Sequence, residues 1–104
     1  MPELSIETQD LAADKAVVKL QGFLDAHTFE QLDVAIQDLF QKGKYRLLVD
    51  LKEVEYISSA GLRALLYLQQ TLEEKNGTLT VRNVPEVIMH VFEVTGFSNI
   101  ISIV

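Results

Sequence analysis

The sequence contains no cysteine, which excludes disulfides, thiol nucleophiles and cysteine-ligated zinc. Tryptophan is absent too, and only two prolines and five glycines punctuate the chain. No low-complexity stretch, linker or internal repeat divides it. Cations are scarce: nine Lys and Arg stand against fifteen Asp and Glu, a formal net charge of -6. Nucleic acid and anionic membrane are therefore not expected as partners, because both are held by clustered Lys and Arg. No apolar run approaches the roughly 20 residues of a membrane-spanning helix. The opening MPELSIETQD is acidic and has neither the basic region nor the apolar stretch of a signal peptide, so a cytoplasmic location is expected.

What is present is 104 residues, 48% of them hydrophobic, enough for one domain over 1–104 with its own core. Leu4, Ile6 and Thr8 alternate with Glu3, Ser5 and Glu7, the period of a half-buried edge strand. Asp10 to Asp14 reads as a turn, and Lys15 to Leu20, with Val17 and Val18, as a strand completing a hairpin. From Ala26 the period changes. Phe29, Leu32, Ile36, Leu39 and Phe40 fall on one helical face, with Glu30, Asp33, Gln37 and Asp38 opposite. Asp25 stands where it can cap this helix, and Lys42-Gly43-Lys44 closes it. Tyr45 to Leu51 reads as a covered strand, Lys52 to Tyr56 as a connection, and Ala60 to Lys75 as a second helix stopped by Asn76-Gly77. Thr78 to Arg82 is a strand rich in β-formers; Pro85 opens a third helix that Gly96 ends; Ile100 to Val104 is a last short strand. The order β-β-α-β-α-β-α-β predicts an α/β domain with a mixed sheet and helices mainly on one face, its strand order left open.

Catalytic signatures are missing: there is no glycine-rich phosphate loop, no HExxH and no GxSxG. No cofactor and no metal set is expected, since the two histidines, His27 and His90, are far apart in sequence. His90 reads as an ordinary helix residue. His27, read as lying in the first turn of the first helix, is the position a phosphohistidine carrier would use. The segment Ile57-Ser58-Ser59-Ala60-Gly61-Leu62-Arg63 is the more informative one. It joins a strand to a helix and places two serines at the helix start. Serine is a favoured N-cap, which accounts for one hydroxyl. The free N–H groups and partial positive charge of the same helix start would also tolerate an added phosphate. Ala60 and Gly61 are small, and would leave the approach open to another protein's active site.

Gly22-Phe23-Leu24-Asp25, Leu48-Val49-Asp50-Leu51, Ile57-Ser58-Ser59-Ala60-Gly61-Leu62, then Val91-Phe92 and Thr95-Gly96-Phe97, in this order and spacing, resemble the anti-sigma factor antagonist family, the STAS domain. The resemblance runs from about Leu4 to Val104. It implies a regulatory protein with no enzymatic activity of its own. In its unphosphorylated form such a protein binds a serine kinase that is also the anti-sigma factor, and so frees the sigma factor. The family's phosphoserine lies two positions before the glycine, which is Ser59; a separate serine phosphatase reverses the modification. The position before it is commonly Asp and is Ser58 here, making Ser58 the second candidate acceptor. Arg63 stands where a small residue is common. Members often continue into a last amphipathic helix, so this is either a short member or one with a further piece. The resemblance also places Asp25 beside the phosphoserine, giving a partner surface of Asp25, Ser58, Ser59, Ala60, Gly61 and Arg63.

The expected switch is electrostatic. A phosphate adds about -1.5 to -2 charges. Arg63, four residues on, is placed to reach it, while Asp25 and Asp50 are expected to add repulsion against a docking partner. The acidic face of the first helix suggests a basic patch on that partner, with a salt-sensitive on-rate. Two other readings stay open: a non-phosphorylated adaptor of the same fold in a signalling scaffold or transporter assembly, marked by partner binding that kinase and ATP do not change, and a small phosphotransfer enzyme using His27, marked by acid-labile phosphate.

Overall fold

Runs of β-branched and aliphatic residues, broken by turns at Gly43, Gly77 and Gly96, set the architecture. The computed structural model describes residues 3–104. Its elements are β1 (Leu4–Asp10), β2 (Lys15–Leu24), α1 (Phe29–Gln41), β3 (Arg46–Ile57), α2 (Ser59–Glu74), β4 (Thr78–Arg82), α3 (Glu86–Thr95), a 3-10 turn (Phe97–Asn99) and β5 (Ser102–Ile103). This is the order expected from the sequence. The sheet order, which the sequence leaves open, is β1-β2-β3-β4-β5. β1 pairs antiparallel with β2 at the edge and the remaining pairs are parallel. Each crossover advances one strand in the same direction, so right-handed connections bring all three helices to one face. The core agrees. Leu32, Ile36 and Leu39 of α1, Leu65 and Leu72 of α2, and Ile88 and Phe92 of α3 join one cluster with the alternate strand residues Val18, Leu20, Leu47, Val49, Leu79 and Val81.

The other face carries the polar half of the alternation. Across it runs the row Glu7, Lys19, Asp50, Arg82, one residue from each of four strands. Asp50 is only 8% exposed, yet its carboxylate is fully engaged. It accepts the Lys52 backbone N–H at 3.0 Å, Arg82 Nε at 3.0 Å and Asn83 Nδ2 at 3.2 Å. Burial pushes its pKa up, but these three hydrogen bonds and the Arg82 charge outweigh burial and hold the carboxyl below its ordinary value.

Four boundaries differ from the sequence reading, the first being that of β2, which does not end at Leu20 but runs on to Leu24. β3 does not end at Leu51; it runs through Lys52–Tyr56 to Ile57. Two register shifts explain why the alternation hides it. Between Asp50 and Glu53, and again between Val54 and Tyr56, β3 spends one residue more than β2 does. Each extra residue resets the face, so Leu51, Val54 and Ile57 are buried three apart rather than two apart. α1 begins at Phe29 rather than Ala26, because Asp25 to Thr28 form a side-chain-tied turn. The last strand shrinks to Ser102–Ile103, since Gly96, at φ +81°, starts a 3-10 turn that buries Phe97.

Candidate functional site

β2 and β3 are parallel and end side by side, with Leu24 opposite Ile57. The turn after β2 and the helix after β3 are thereby brought together. Ser58 donates its backbone N–H to the Leu24 carbonyl at 3.0 Å. Its φ of -86° and ψ of 172° are those of an N-cap, and its Oγ accepts the Gly61 N–H at 3.1 Å. The Ser58 carbonyl accepts the Leu62 N–H at 2.9 Å. Ser58 is half-buried and committed to starting α2. Ser59 is the first helical residue and its side chain is exposed. Two neighbouring hydroxyls thus have different environments: one closes the helix and one faces solvent. The N–H groups of Ser59 and Ala60 precede the intrahelical ladder, and the positive end of the α2 dipole lies at the same place.

Gly61 is buried and adds no side-chain surface. A Cβ there would collide with the Leu24 carbonyl oxygen and would lie 2.9 Å from the Leu24 carbonyl carbon and 3.1 Å from Ile57 Cγ1. Its missing side chain lets α2 press against the end of β2. The sequence suggests a small residue that leaves an approach open for a partner; in the structure that opening is filled by the protein's own backbone.

Asp25 is half-buried in the turn beside this junction. Its Oδ1 accepts the backbone N–H groups of His27 at 2.9 Å and Thr28 at 3.1 Å. The Thr28 hydroxyl donates to the Phe23 carbonyl at 2.8 Å and accepts the Asp25 N–H at 3.0 Å. Asp25 therefore ties a turn, and the N-cap of α1 is Thr28. His27 is exposed in this turn, ahead of the helix and not in its first turn. Asp50 lies elsewhere: the paired stretch of β2, Lys19 to Leu24, covers the distance from Asp50 to Ile57 in five residues, about 17 Å at 3.3 Å each, and Arg82 already pairs with its charge. It adds no repulsion at Ser59, contrary to the expectation from sequence.

Ala60 is half-buried and Arg63 is exposed; both line a groove of about 410 Å³ between α1 and α2. Phe29, Leu32, Ile36 and Leu68 give this groove an apolar floor. Phe29 is 43% exposed and Tyr67 is 63% exposed. Arg63 is the only cation among the lining residues, and Asp33 lines the groove too. At the end of the strands, Phe23 and Tyr56 pair with ring centres 5.7 Å apart. Sequence reasoning misses Thr28, the Phe23–Tyr56 pair and the groove. Thr28 leaves a signal, since Asp-x-x-Thr after a strand is a turn-tying pattern; the groove depends on how two helices sit and leaves none.

Glu30, Asp33, Gln37 and Asp38 of α1 are exposed, as the helical period requires. His90 is exposed on α3. Among the described residues no group of three or more His, Asp and Glu side chains is placed to hold a metal ion. No helix there is long and apolar enough to cross a membrane.

A family model described as the Mlab, STAS domain matches residues 7–103. BtrV of Bordetella bronchiseptica, which bears the name of an anti-sigma factor antagonist, is 33% identical over 93 residues, spanning 89% of this chain and 80% of the relative. The anti-sigma-B factor antagonist of Listeria monocytogenes is 29% identical over 100 residues, spanning 96% of this chain and 88% of its own. The anti-sigma factor antagonist SpoIIAA in its unphosphorylated form shares the fold, with a TM-score of 0.76 at 21% identity, covering 96% of this chain and 87% of that one. Matched along nearly its whole length, this chain belongs to the anti-sigma factor antagonist family, the STAS domain.

Proposed function

We propose that this protein is a partner-switching regulator whose state is written on Ser59. Unphosphorylated, it binds a serine kinase that is also an anti-sigma factor, and so releases the sigma factor. The kinase transfers the γ-phosphoryl of ATP to the Ser59 hydroxyl. A bond forms between Oγ and phosphorus, the bond to the ADP oxygen breaks, and the hydroxyl proton passes to a base on the kinase. A serine phosphatase hydrolyses the ester and restores binding. The names of the relatives, anti-sigma factor antagonists, support the partner class. That a protein of this fold has been solved in a phosphorylated form supports the chemistry.

The observation that carries the choice of residue is the unequal placement of the two hydroxyls. Ser58 Oγ is held by the Gly61 N–H, whereas Ser59 is exposed at the helix start. Phosphate at Ser59 would sit at the positive end of α2, so the fold tolerates it. A kinase surface shaped for a neutral hydroxyl does not. Like charges or an unpaired dianion in an interface cost several kcal/mol, and about 1.4 kcal/mol is tenfold in affinity. Binding is thereby lost without rearrangement of the domain.

The test begins with a pull-down from native extract using wild-type protein and Ser59→Asp, to isolate a kinase held only by the former. That kinase is then given ATP and the wild-type protein, and the phosphate is mapped by mass spectrometry. The expected label is on Ser59 and is abolished by Ser59→Ala. A label confined to Ser58, or partner binding indifferent to kinase and ATP, overturns the proposal; the second outcome is that of a constitutive adaptor.

A further inference from the structure

The modification has a second place to be read, one turn along α2. Ser59 and Arg63 are four residues apart on one helix, so their side chains share a face. Arg63 is exposed and takes part in none of the ion pairs among the described residues, which join Lys42 to Asp38, Arg46 to Asp14 and Arg82 to Asp50. It lines the α1–α2 groove as that groove's only cation, with Asp33 as its one carboxylate. Its side chain is thus free to move, and both the groove and the Ser59 position are within one helical turn of its backbone.

We infer that Arg63 is a shared cation: it serves the α1–α2 groove while Ser59 is free and turns to the phosphate once Ser59 is modified. A phosphoserine dianion with three acceptor oxygens attracts a guanidinium more strongly than the single carboxylate of Asp33 does, and it can engage two N–H donors at once. Glu30, Asp33 and Asp25 are acidic groups of α1 and of the preceding turn, and the exposed His27 of that turn is the one titratable base there. No Lys or Arg on α1 or on that turn replaces the lost cation. Modification of Ser59 therefore changes the surface twice: it adds negative charge at the helix start, and it strips the groove of its positive charge, leaving Asp33 and an apolar floor of Phe29, Leu32 and Ile36. Arg63 is a positioning residue for the switch; its role rests on the reading that Ser59 carries the phosphate.

The experiment needs no kinase, so its outcome is separable from that reading. Phosphoserine is incorporated at position 59 during synthesis of the full chain, and its second ionisation is followed by ³¹P NMR. With Arg63 in place the titration midpoint is expected below that of the Arg63→Gln variant by about 0.3–0.7 unit, the size of a well-placed exposed ion pair. Arg63→Lys restores part of the shift, and the Arg63 Nε–H signal and the Tyr67 ring signals move when Ser59 is phosphorylated. Equal midpoints with Arg63 and with Arg63→Gln mean that the helix start alone holds the phosphate, and they overturn the inference. A shifted midpoint with unmoved Tyr67 signals also overturns it, because the groove would then be unaffected.

Discussion

Replacing Gly61 with alanine sets two effects of opposite sign against each other, and their sizes can be compared. Gly61 is the third residue of α2. In a helix interior, alanine is better than glycine by about 1 kcal/mol, so propensity alone predicts stabilisation. Packing predicts the reverse. The new Cβ would collide with the Leu24 carbonyl oxygen and lie 2.9 Å from its carbon. Both are backbone atoms of β2 that cannot rotate away, and the oxygen already accepts the Ser58 N–H at 3.0 Å. The first turn of α2 has to lift instead. Overpacking of this kind costs about 1–3 kcal/mol. Weakening the Ser58 N–H to Leu24 bond and the Gly61 N–H to Ser58 Oγ bond costs about 1 kcal/mol for each bond lost. After the gain in propensity the net loss is about 2 kcal/mol, a fall in melting temperature of about 8–16 °C for a domain of this size. Thermal unfolding by circular dichroism, with urea midpoints as a second measure, gives the answer. Because lifting the turn displaces Ser59 as well, phosphorylation by the kinase should slow in the same variant at temperatures where it is still folded. A Gly61→Ala protein as stable as wild type, or more so, would show that α2 does not rest on the Leu24 carbonyl and would refute this account of the site.

The other predictions concern single side chains. Ser58→Ala removes the α2 cap and is expected to lose about 1 kcal/mol, read as a urea midpoint, while Ser59 still accepts phosphate; loss of labelling with retained stability would return Ser58 to the role of acceptor. Ser59→Asp is expected to keep the wild-type circular dichroism spectrum and to bind the kinase about tenfold more weakly or worse by calorimetry, and unfolding of this variant would argue against a switch confined to the surface. Asp50→Asn tests the open face of the sheet. The Asp50 pKa is lowered in the folded protein, so its ionised form contributes stability that is present above the unfolded value of about 3.9 and is lost as pH falls through the folded value. The stability gap between wild type and Asp50→Asn should therefore be constant near pH 7 and narrow below about pH 4, and a gap that does not change down to about pH 3 would show that the Arg82 pairing carries no weight.

The sequence is most legible where one physical signal dominates. β4 is readable to the residue, because Thr78 to Arg82 is bounded by Gly77 and by Asn83, both turn formers. A serine cap places the start of α2 within one residue. Errors arise where side chains compete with backbone regularity. Asp25 and Thr28 hold their segment in a turn, so a helical apolar period that includes Phe29 begins later than its pattern suggests. β3 reads as too short because its two extra residues turn a period of two into a period of three. The partners of Asp50 are not legible at all: Arg82 and Asn83 come from β4 and its end, and only the parallel register of β3 and β4 brings them to it.

The register of β2 against β3 explains why two adjacent serines do not compete for one role. Had β3 stopped at Leu51, the segment Lys52 to Tyr56 would be a loop, and Ser58 and Ser59 would have no fixed relation to β2. Because the strand continues to Ile57, opposite Leu24, the Ser58 amide is fixed on the Leu24 carbonyl and its Oγ is turned toward Gly61. One residue further, the chain is already helical, and the Ser59 side chain is exposed. The exposure of Ser59 is thus a consequence of strand length and of a glycine that permits contact. An insertion of one residue between Ile57 and Ser58 would move Ser58 into the Ser59 position and Ala60 into that of Gly61, where a Cβ meets the Leu24 carbonyl oxygen; a loss of stability like that of Gly61→Ala is therefore expected, measured by thermal unfolding, and an insertion variant as stable as wild type would show that the strand end does not fix the start of α2.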